Sequence, residues 1–363
     1  MESAEAAAQL SPMSDKLHKG VATVAQLAEF DTVIDARAPG EFAEDHLPNA
    51  ISLPVLNDEE RARVGTLYKQ VSVFEAKKLG AALVSRNIAR HIEEHLLDKP
   101  KSWRPLVYCW RGGQRSGAFT HILREIGWDA HRIQGGYKSW RQHVIEQLAL
   151  LPPQVNFRVV TGATGSGKSR LLEALAARGA QVVHLEELAA HKGSVLGNLP
   201  GQPQPTQKGF ESQLLAALSR LDLTKPVFVE AESRKIGRLQ LPDALLEAIR
   251  SASGLRIDSS LQARVEFLLR DYDYAIADPA WLIERLSHLK GLQSNDTLER
   301  WQELITARNF PALVEELLTL HYDPLYQRSQ THNFNSFEAA TRYSTDQLDS
   351  AAFNRLAAEI LAT

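Results

Sequence analysis

Two stretches of this chain carry residues whose types and spacing could do chemistry. The first is Gly162-Ala163-Thr164-Gly165-Ser166-Gly167-Lys168-Ser169, which follows the apolar run 157–161 and precedes a helical pattern with Leu171, Leu172 and Leu175 on one face. Strand, glycine-rich turn and helix, in that order, form the context of a phosphate-binding P-loop. Gly162, Gly165 and Gly167 let successive backbone N–H groups converge on a phosphate, with Ser166 in the same turn. The helix N-terminus adds partial positive charge, Lys168 a full one, and Ser169 offers a ligand to Mg²⁺. The second stretch is Cys109-Trp110-Arg111-Gly112-Gly113-Gln114-Arg115-Ser116. It follows the buried-strand pattern Pro105-Leu106-Val107-Tyr108 and opens a helix with Phe119, Ile122 and Leu123 inward. Loop amides, the helix dipole and Arg111 or Arg115 all favour an anion there. Cys109 is the chain's single cysteine. No intrachain disulfide can form, and no second thiol can resolve an intermediate built on that sulfur.

The elements that must position these loops are legible as an alternation of strands and helices. Strands are expected at 32–34, 51–54, 105–108 and 130–133, with helices over 58–98 (broken near Gln70), from Ser116 and through Trp140. That pattern is a parallel α/β domain. Leu151-Pro152-Pro153-Gln154 reads as a stiff linker after a domain over 16–150. A second α/β domain, 155–363, has strands at 157–161, 181–185, 227–229 and 255–258 and a long helical C-terminal part. Residues 191–209 hold four glycines and three prolines and read as a long loop of the lid or binding type. No His/Cys cluster has zinc spacing, so no metal ligand set is firm.

A third group follows the strand ending at 229. Glu230 and Glu232 stand where a carboxylate organising Mg²⁺, or supporting its ligands, would lie. Arg234, Lys235 and Arg238 could hold phosphate or an RNA backbone. With a net charge of −3, any nucleic-acid contact must come from such a local patch. The length of 363 residues suits two buried cores. No apolar run is long enough to span a membrane. Residues 1–15 lack an apolar core and read as a disordered tail rather than a signal peptide, which makes the cytoplasm the expected location.

Asp35-Ala36-Arg37 with Glu41-Phe42, then His46-Leu47-Pro48-Asn49-Ala50, the Cys109 loop and Gly135-Gly136-Tyr137 with Trp140 together resemble a rhodanese domain over residues 16–148. In that family the cysteine carries a persulfide cradled by loop amides. Asp35 and Arg37 read as a structural ion pair, and His46 as a hydrogen-bonding residue of a connection. The loop departs from the pattern: five residues separate Cys109 from Arg115, one more than in many sulfurtransferases. It resembles that of phosphatases sharing the fold, whose wider cradle fits a tetrahedral anion.

The order of these parts (the Cys109 loop, the P-loop, then Glu230-Ala231-Glu232-Ser233-Arg234-Lys235-Ile236-Gly237) resembles the bacterial tRNA 2-selenouridine synthase family. The resemblance implies exchange of the 2-thio sulfur of a wobble uridine for selenium, with selenophosphate as donor. It also implies geranyl transfer from geranyl diphosphate to that sulfur, tRNAs for lysine, glutamate and glutamine as substrates, and a selenophosphate-producing enzyme as a partner. S-alkylation turns the sulfur into a leaving group, which explains a diphosphate site and a chalcogen site on one chain. The residues alone leave open whether Cys109 bonds selenium and whether ATP is turned over. They also leave open a phosphatase–kinase fusion and a non-enzymatic tRNA-binding scaffold. Against the fusion, no acidic residue lies near Cys109 in sequence to serve as general acid.

Overall fold

The computed structural model describes residues 20–333 and 340–363; the tail expected over 1–15 lies outside the described residues. The chain divides into two compact units, one up to residue 143 and one from 144 onward. In the first, β1 (Val21–Ala22), β2 (Thr32–Asp35), β3 (Ile51–Ser52), β4 (Pro105–Tyr108) and β5 (His131–Ile133) form a parallel sheet in the order β1-β5-β4-β2-β3. The register sets Asp35 opposite Tyr108, so the carboxyl ends of β2 and β4 meet at one edge, where Cys109 follows.

The helices of this unit are α1 (Pro39–Glu44), α2 (Asp58–Gln70), α3 (Val73–His95) and α4 (Gln114–Ile126), and α5 (Tyr137–Leu150) begins in it and crosses the boundary at 143. The expected break near Gln70 is real, because Ser72 turns out of the first helix and its side chain accepts from the Phe74 and Glu75 amides, capping α3. Strand β3 is shorter than the expected 51–54, since Pro54 has no N–H to give a ladder. Ile34, Ile88, Val107, Phe119 and Leu123 are fully buried in one cluster, each worth about 1.5–3 kcal/mol of transfer free energy.

The second unit has a parallel sheet in the order β12-β11-β6-β8-β7. Its strands are β6 (Phe157–Gly162), β7 (Gln181–Val183), β8 (Val227–Glu230), β11 (Ser253–Asp258) and β12 (Thr341–Ser344), and β9 (Lys235–Ile236) pairs with β10 (Leu239–Gln240) as a hairpin. Central β6 runs into the P-loop and α6 (Lys168–Ala177). Between β7 and β8 lie α7 (Leu185–Leu188) and α8 (Gln207–Leu218), joined by the expected long loop. Leu185, expected at the end of a strand, begins α7 instead. After α9 (Asp243–Ser251) and α10 (Leu261–Asp271) the chain stays helical through α11 (Asp273–Ala277), α12 (Pro279–Ser287), α13 (Asn295–Thr306), α14 (Phe310–Glu316), a π-helical turn (Leu317–Tyr322) and α15 (Asp323–Asn333). These helices bury Leu282, Leu286, Trp301, Ile305 and Leu313 in a cluster of their own. Helix α16 (Ser350–Ala362) returns to α6 and packs Phe353 and Leu356 beside Leu171, Leu172 and Leu175.

Candidate functional site

In the first unit, Cys109 is buried at 3% exposure. Its Sγ lies 3.2 Å from Ser116 Oγ, and Ser116 is fully buried on the first turn of α4. The loop between them is pinned from the far side: the Tyr137 amide donates to the Cys109 carbonyl at 2.8 Å and the Lys138 amide to the Trp110 carbonyl at 3.0 Å. Gly136 makes this close approach possible. It has φ 61°, and a Cβ there would collide with the Cys109 carbonyl and the Gly112 amide. Trp110, Arg111, Gly113 and Gln114 are exposed around the rim.

Behind the loop, Asp35 and Arg37 form a buried ion pair at 2.6 Å. Tyr108 donates to Asp35 at 2.6 Å, and Tyr137 donates to Asp45 at 2.9 Å with its ring under the Arg37 guanidinium. Burial, then the Asp35 charge, push the Tyr108 hydroxyl far above its ordinary range, so this network is a fixed frame. Arg115 donates through Nη1 to Glu41 at 2.8 Å, and Arg61 reaches the same carboxylate at 3.0 Å. Burial works against ionisation of Glu41, but the bond and charge of Arg115, the Ala38 amide and the Arg61 charge together outweigh it and hold the carboxyl below its usual range. His46 stacks on Phe42 and its Nδ1 lies 3.0 Å from the Phe42 carbonyl, a local connection contact. Helix α3 brings His91, Glu94 and His95 within 4.8 Å of one another. The expectation of no His/Cys zinc spacing passes over this mixed trio.

In the second unit, Gly165 and Gly167 take φ of 82° and 78°. Gly167 caps α6, and a Cβ on it would strike the Phe353 ring. Lys168 Nζ lies across the loop, donating to the Gly162 carbonyl at 3.0 Å. Ser166 Oγ is buried without a partner, a polar atom facing inward in a loop shaped for oxyanions. Ser169 donates to Glu186 at 2.9 Å, and the Glu186 amide donates to Glu230 at 2.8 Å. The loop residue Gly193 closes the group: a Cβ there would sit 3.0 Å from Glu186 Oε1 and 3.2 Å from Glu232 Oε1. Burial, then the neighbouring Glu186 charge, raise the Glu230 carboxyl to about 8. Burial, then the charges of Glu186 and Glu230, push Glu232 well up, with Lys168 acting the other way. Glu230 Oε2 is buried with no partner. Ser169 and Glu186 offer hard oxygens of the kind Mg²⁺ takes, with Glu232 across Gly193, although the three carboxylates do not converge on one point as a ligand set. Glu186 escapes sequence reading, because its link to Ser169 spans seventeen residues of no fixed pattern.

The predicted cations diverge. Arg234 pairs with Asp243 at 2.7 Å. Arg238 donates to the carbonyls of Gln204 and Pro205, bracing the long loop. Lys235 is exposed, and with Arg238 it lines an open groove whose other basic residues, His191, Arg285 and His288, the sequence reading did not single out. On the other side of the loop, Thr164 of the P-loop forms part of the wall of an apolar cavity with Leu268, Tyr272, Phe310, Leu313 and Leu317. The Tyr272 and Tyr322 hydroxyls both bond the Ser194 side chain, tying the loop to this wall.

Residues 20–143 match the family model of the rhodanese-like domain, and residues 155–281 match that of the tRNA 2-selenouridine synthase AAA domain. A tRNA 2-selenouridine synthase of Aeromonas salmonicida is 35% identical over 323 residues, 81% of this chain and 86% of that protein. Those of Nitrosomonas europaea and Bdellovibrio bacteriovorus are 41% and 38% identical over 244 and 253 residues, each match covering 66% of this chain. These two matches span 63% and 64% of the relatives' own length.

Proposed function

Because the chain belongs to the tRNA 2-selenouridine synthase family, we propose that it exchanges the 2-thio sulfur of a tRNA wobble uridine for selenium, after geranylation of that sulfur by geranyl diphosphate. The uridine sulfur attacks the allylic carbon of the donor, a C–S bond forms and the C–O bond to diphosphate breaks. Selenium from selenophosphate then bonds the C2 carbon and geranylthiolate leaves. Gly162, Gly165, Ser166, Gly167 and Lys168 bind the diphosphate. Ser169, Glu186 and Glu232 would hold Mg²⁺, which supplies charge neutralisation to the leaving diphosphate. Trp110, Arg111, Gly112, Gly113, Gln114 and Arg115 frame selenophosphate beside Cys109. The tRNA backbone follows the groove of Lys235, Arg238, Arg285 and His288, which holds the flanking phosphates while the base leaves its stack.

The observation that carries this reading is the apolar cavity walled by the P-loop's own Thr164. A ligand with phosphates at one end and hydrocarbon at the other fits that pairing. A purine, with ring nitrogens that need partners, fits it poorly. The Cys109 loop, in turn, supports a phosphate-ester phosphatase poorly. Glu41, the acid bonded to Arg115, is held ionised, and Asp35 is committed to Arg37 and Tyr108.

Calorimetry with geranyl diphosphate and with ATP tests the P-loop assignment. Tight ATP binding with none of geranyl diphosphate would give the loop to a nucleotide. Mass spectrometry of wobble nucleosides from cells with and without the protein tests the reaction: 2-selenouridine should vanish with it, and unchanged levels would remove the proposal. The tRNAs for lysine, glutamate and glutamine are the ones to survey.

A further inference from the structure

We infer that Cys109 attacks the phosphorus of selenophosphate, not its selenium, and passes through an S-phosphocysteine, releasing hydrogen selenide for the uridine. This rests on the proposed use of selenophosphate, and concerns what the sulfur does with it.

Three features of the loop converge on phosphoryl chemistry. Cys109 and Arg115 are separated by five residues, a cradle wide enough for a tetrahedral oxyanion. The Arg115 guanidinium is oriented through Nη1 by Glu41, which Arg61 shares, so its charge stays at the loop. Ser116, directly after that arginine, is fully buried with its hydroxyl 3.2 Å from Cys109 Sγ, while the Gly113 carbonyl is a marginal alternative acceptor at 3.5 Å. A hydroxyl donating to sulfur lowers the barrier for a step in which sulfur leaves. Hydrolysis of an S–P bond is such a step, and that bond needs a leaving-group stabiliser.

The balance also favours phosphorus. Selenium in selenophosphate is already at the selenide level, so joining it to a thiol as a perselenide needs an oxidant that neither the reaction nor the single cysteine supplies. Attack on phosphorus needs none. The S–P bond forms, the P–Se bond breaks, and the thiol proton leaves with hydrogen selenide. That anion bonds the C2 carbon of S-geranyl-2-thiouridine and expels geranylthiol, and water then cleaves the S–P bond to give phosphate and free Cys109. The lack of a general acid near the loop, which weighs against ester hydrolysis, does not matter here. The departing selenide is a far weaker base than an alkoxide and takes the thiol's own proton, so the step needs no further acid.

Selenophosphate labelled separately in phosphorus and in selenium tests the step, using the full chain and rapid quenching. Ser116→Ala should slow loss of the intermediate about ten-fold, the weight of one hydrogen bond, so that phosphorus label accumulates on Cys109 while selenide appears in solution. The Cys109→Ser variant should take up neither label and release no selenide. Selenium label on Cys109, or 2-selenouridine formed by Ser116→Ala at the native rate with no phosphorus on the protein, overturns the inference. Failure of the native chain to use selenophosphate at all would instead fault the donor assignment.

Discussion

The Cys109 loop and the P-loop are built alike and finished differently. Each follows a buried parallel strand, turns through glycines, and ends on a helix capped by glycine, Gly113 in one and Gly167 in the other. Around Cys109 the buried charges are answered within the fold: Arg37 by Asp35 and Arg115 by Glu41, with the neutral Tyr108 hydroxyl also donating to Asp35. Around the P-loop the cation Arg264 is answered by Asp323, but the acids are not fully answered. Glu186, Glu230 and Glu232 crowd one another, and Ser166 Oγ and Glu230 Oε2 have no partner. The first loop is therefore rigid in advance and its neighbours mainly orient. The second is electrostatically incomplete, so ligand and cation should complete its stability as well as its chemistry.

Changing one atom at the finished site should have the largest effect. Cys109→Ser keeps the shape of a buried side chain and should abolish selenium incorporation while S-geranyl-2-thiouridine accumulates. Nucleoside mass spectrometry of the purified reaction reads both species, and full 2-selenouridine formation would detach the sulfur from the chemistry. At the other loop, Lys168→Ala removes the main point charge over the phosphates. A charged hydrogen bond of this kind is worth about 1.5–3 kcal/mol, so geranyl diphosphate should bind roughly 10- to 100-fold more weakly by calorimetry, with selenide release at Cys109 unaltered. Equal loss at both loops would erase the contrast between them.

The incompleteness of the P-loop predicts a pH signature. Glu230 titrates at about 8 in the fold against an ordinary 4.5. A carboxyl that holds its proton more tightly folded than unfolded stabilises fully below pH 4.5, and that contribution is lost as pH rises through about 8. Glu230→Gln, which imitates the protonated form, should match the native Tm at the acid end and exceed it above pH 8 in scanning calorimetry without divalent cation. A Tm difference that does not vary with pH would show that burial of Glu230 is not the strain inferred here. The smallest effect is expected at the groove. Lys235→Ala should lower the slope of log affinity for tRNA against log salt by about one unit or less. An unchanged slope across a filter-binding salt series would take this lysine off the RNA path.

Much of this was legible in the residues because each loop announces itself locally. A β-branched run ending in a glycine-rich turn before a helix needs no distant partner to be read, and both sheets are built of such units. The missed parts depend on partners far along the chain. Glu186 looks like any acid opening a short helix until Ser169 bonds it. The edge strand β12 (Thr341–Ser344) is too short and polar to register without β11 beside it. Arg234 and Arg238 read as free cations, since nothing in their neighbourhood shows that Asp243 and the Gln204 carbonyl will claim them. Arg285 and His288 lie on a helical stretch whose groove face appears only once the loop over 191–206 is in place.

The Phe353 ring that fills the space beside Gly167 has a meaning for synthesis. The phosphate loop is among the first parts of its unit to leave the ribosome, while β12 and α16, which complete its sheet and its packing, are among the last. Until Phe353 emerges, the loop lacks one wall and its helix lacks part of the apolar surface it rests on, the sheet supplying the rest. On the proposed reading of this loop, a nascent chain should bind diphosphate productively only once it is made through to α16. Ligand protection during translation should switch on late and all at once, rather than growing with chain length.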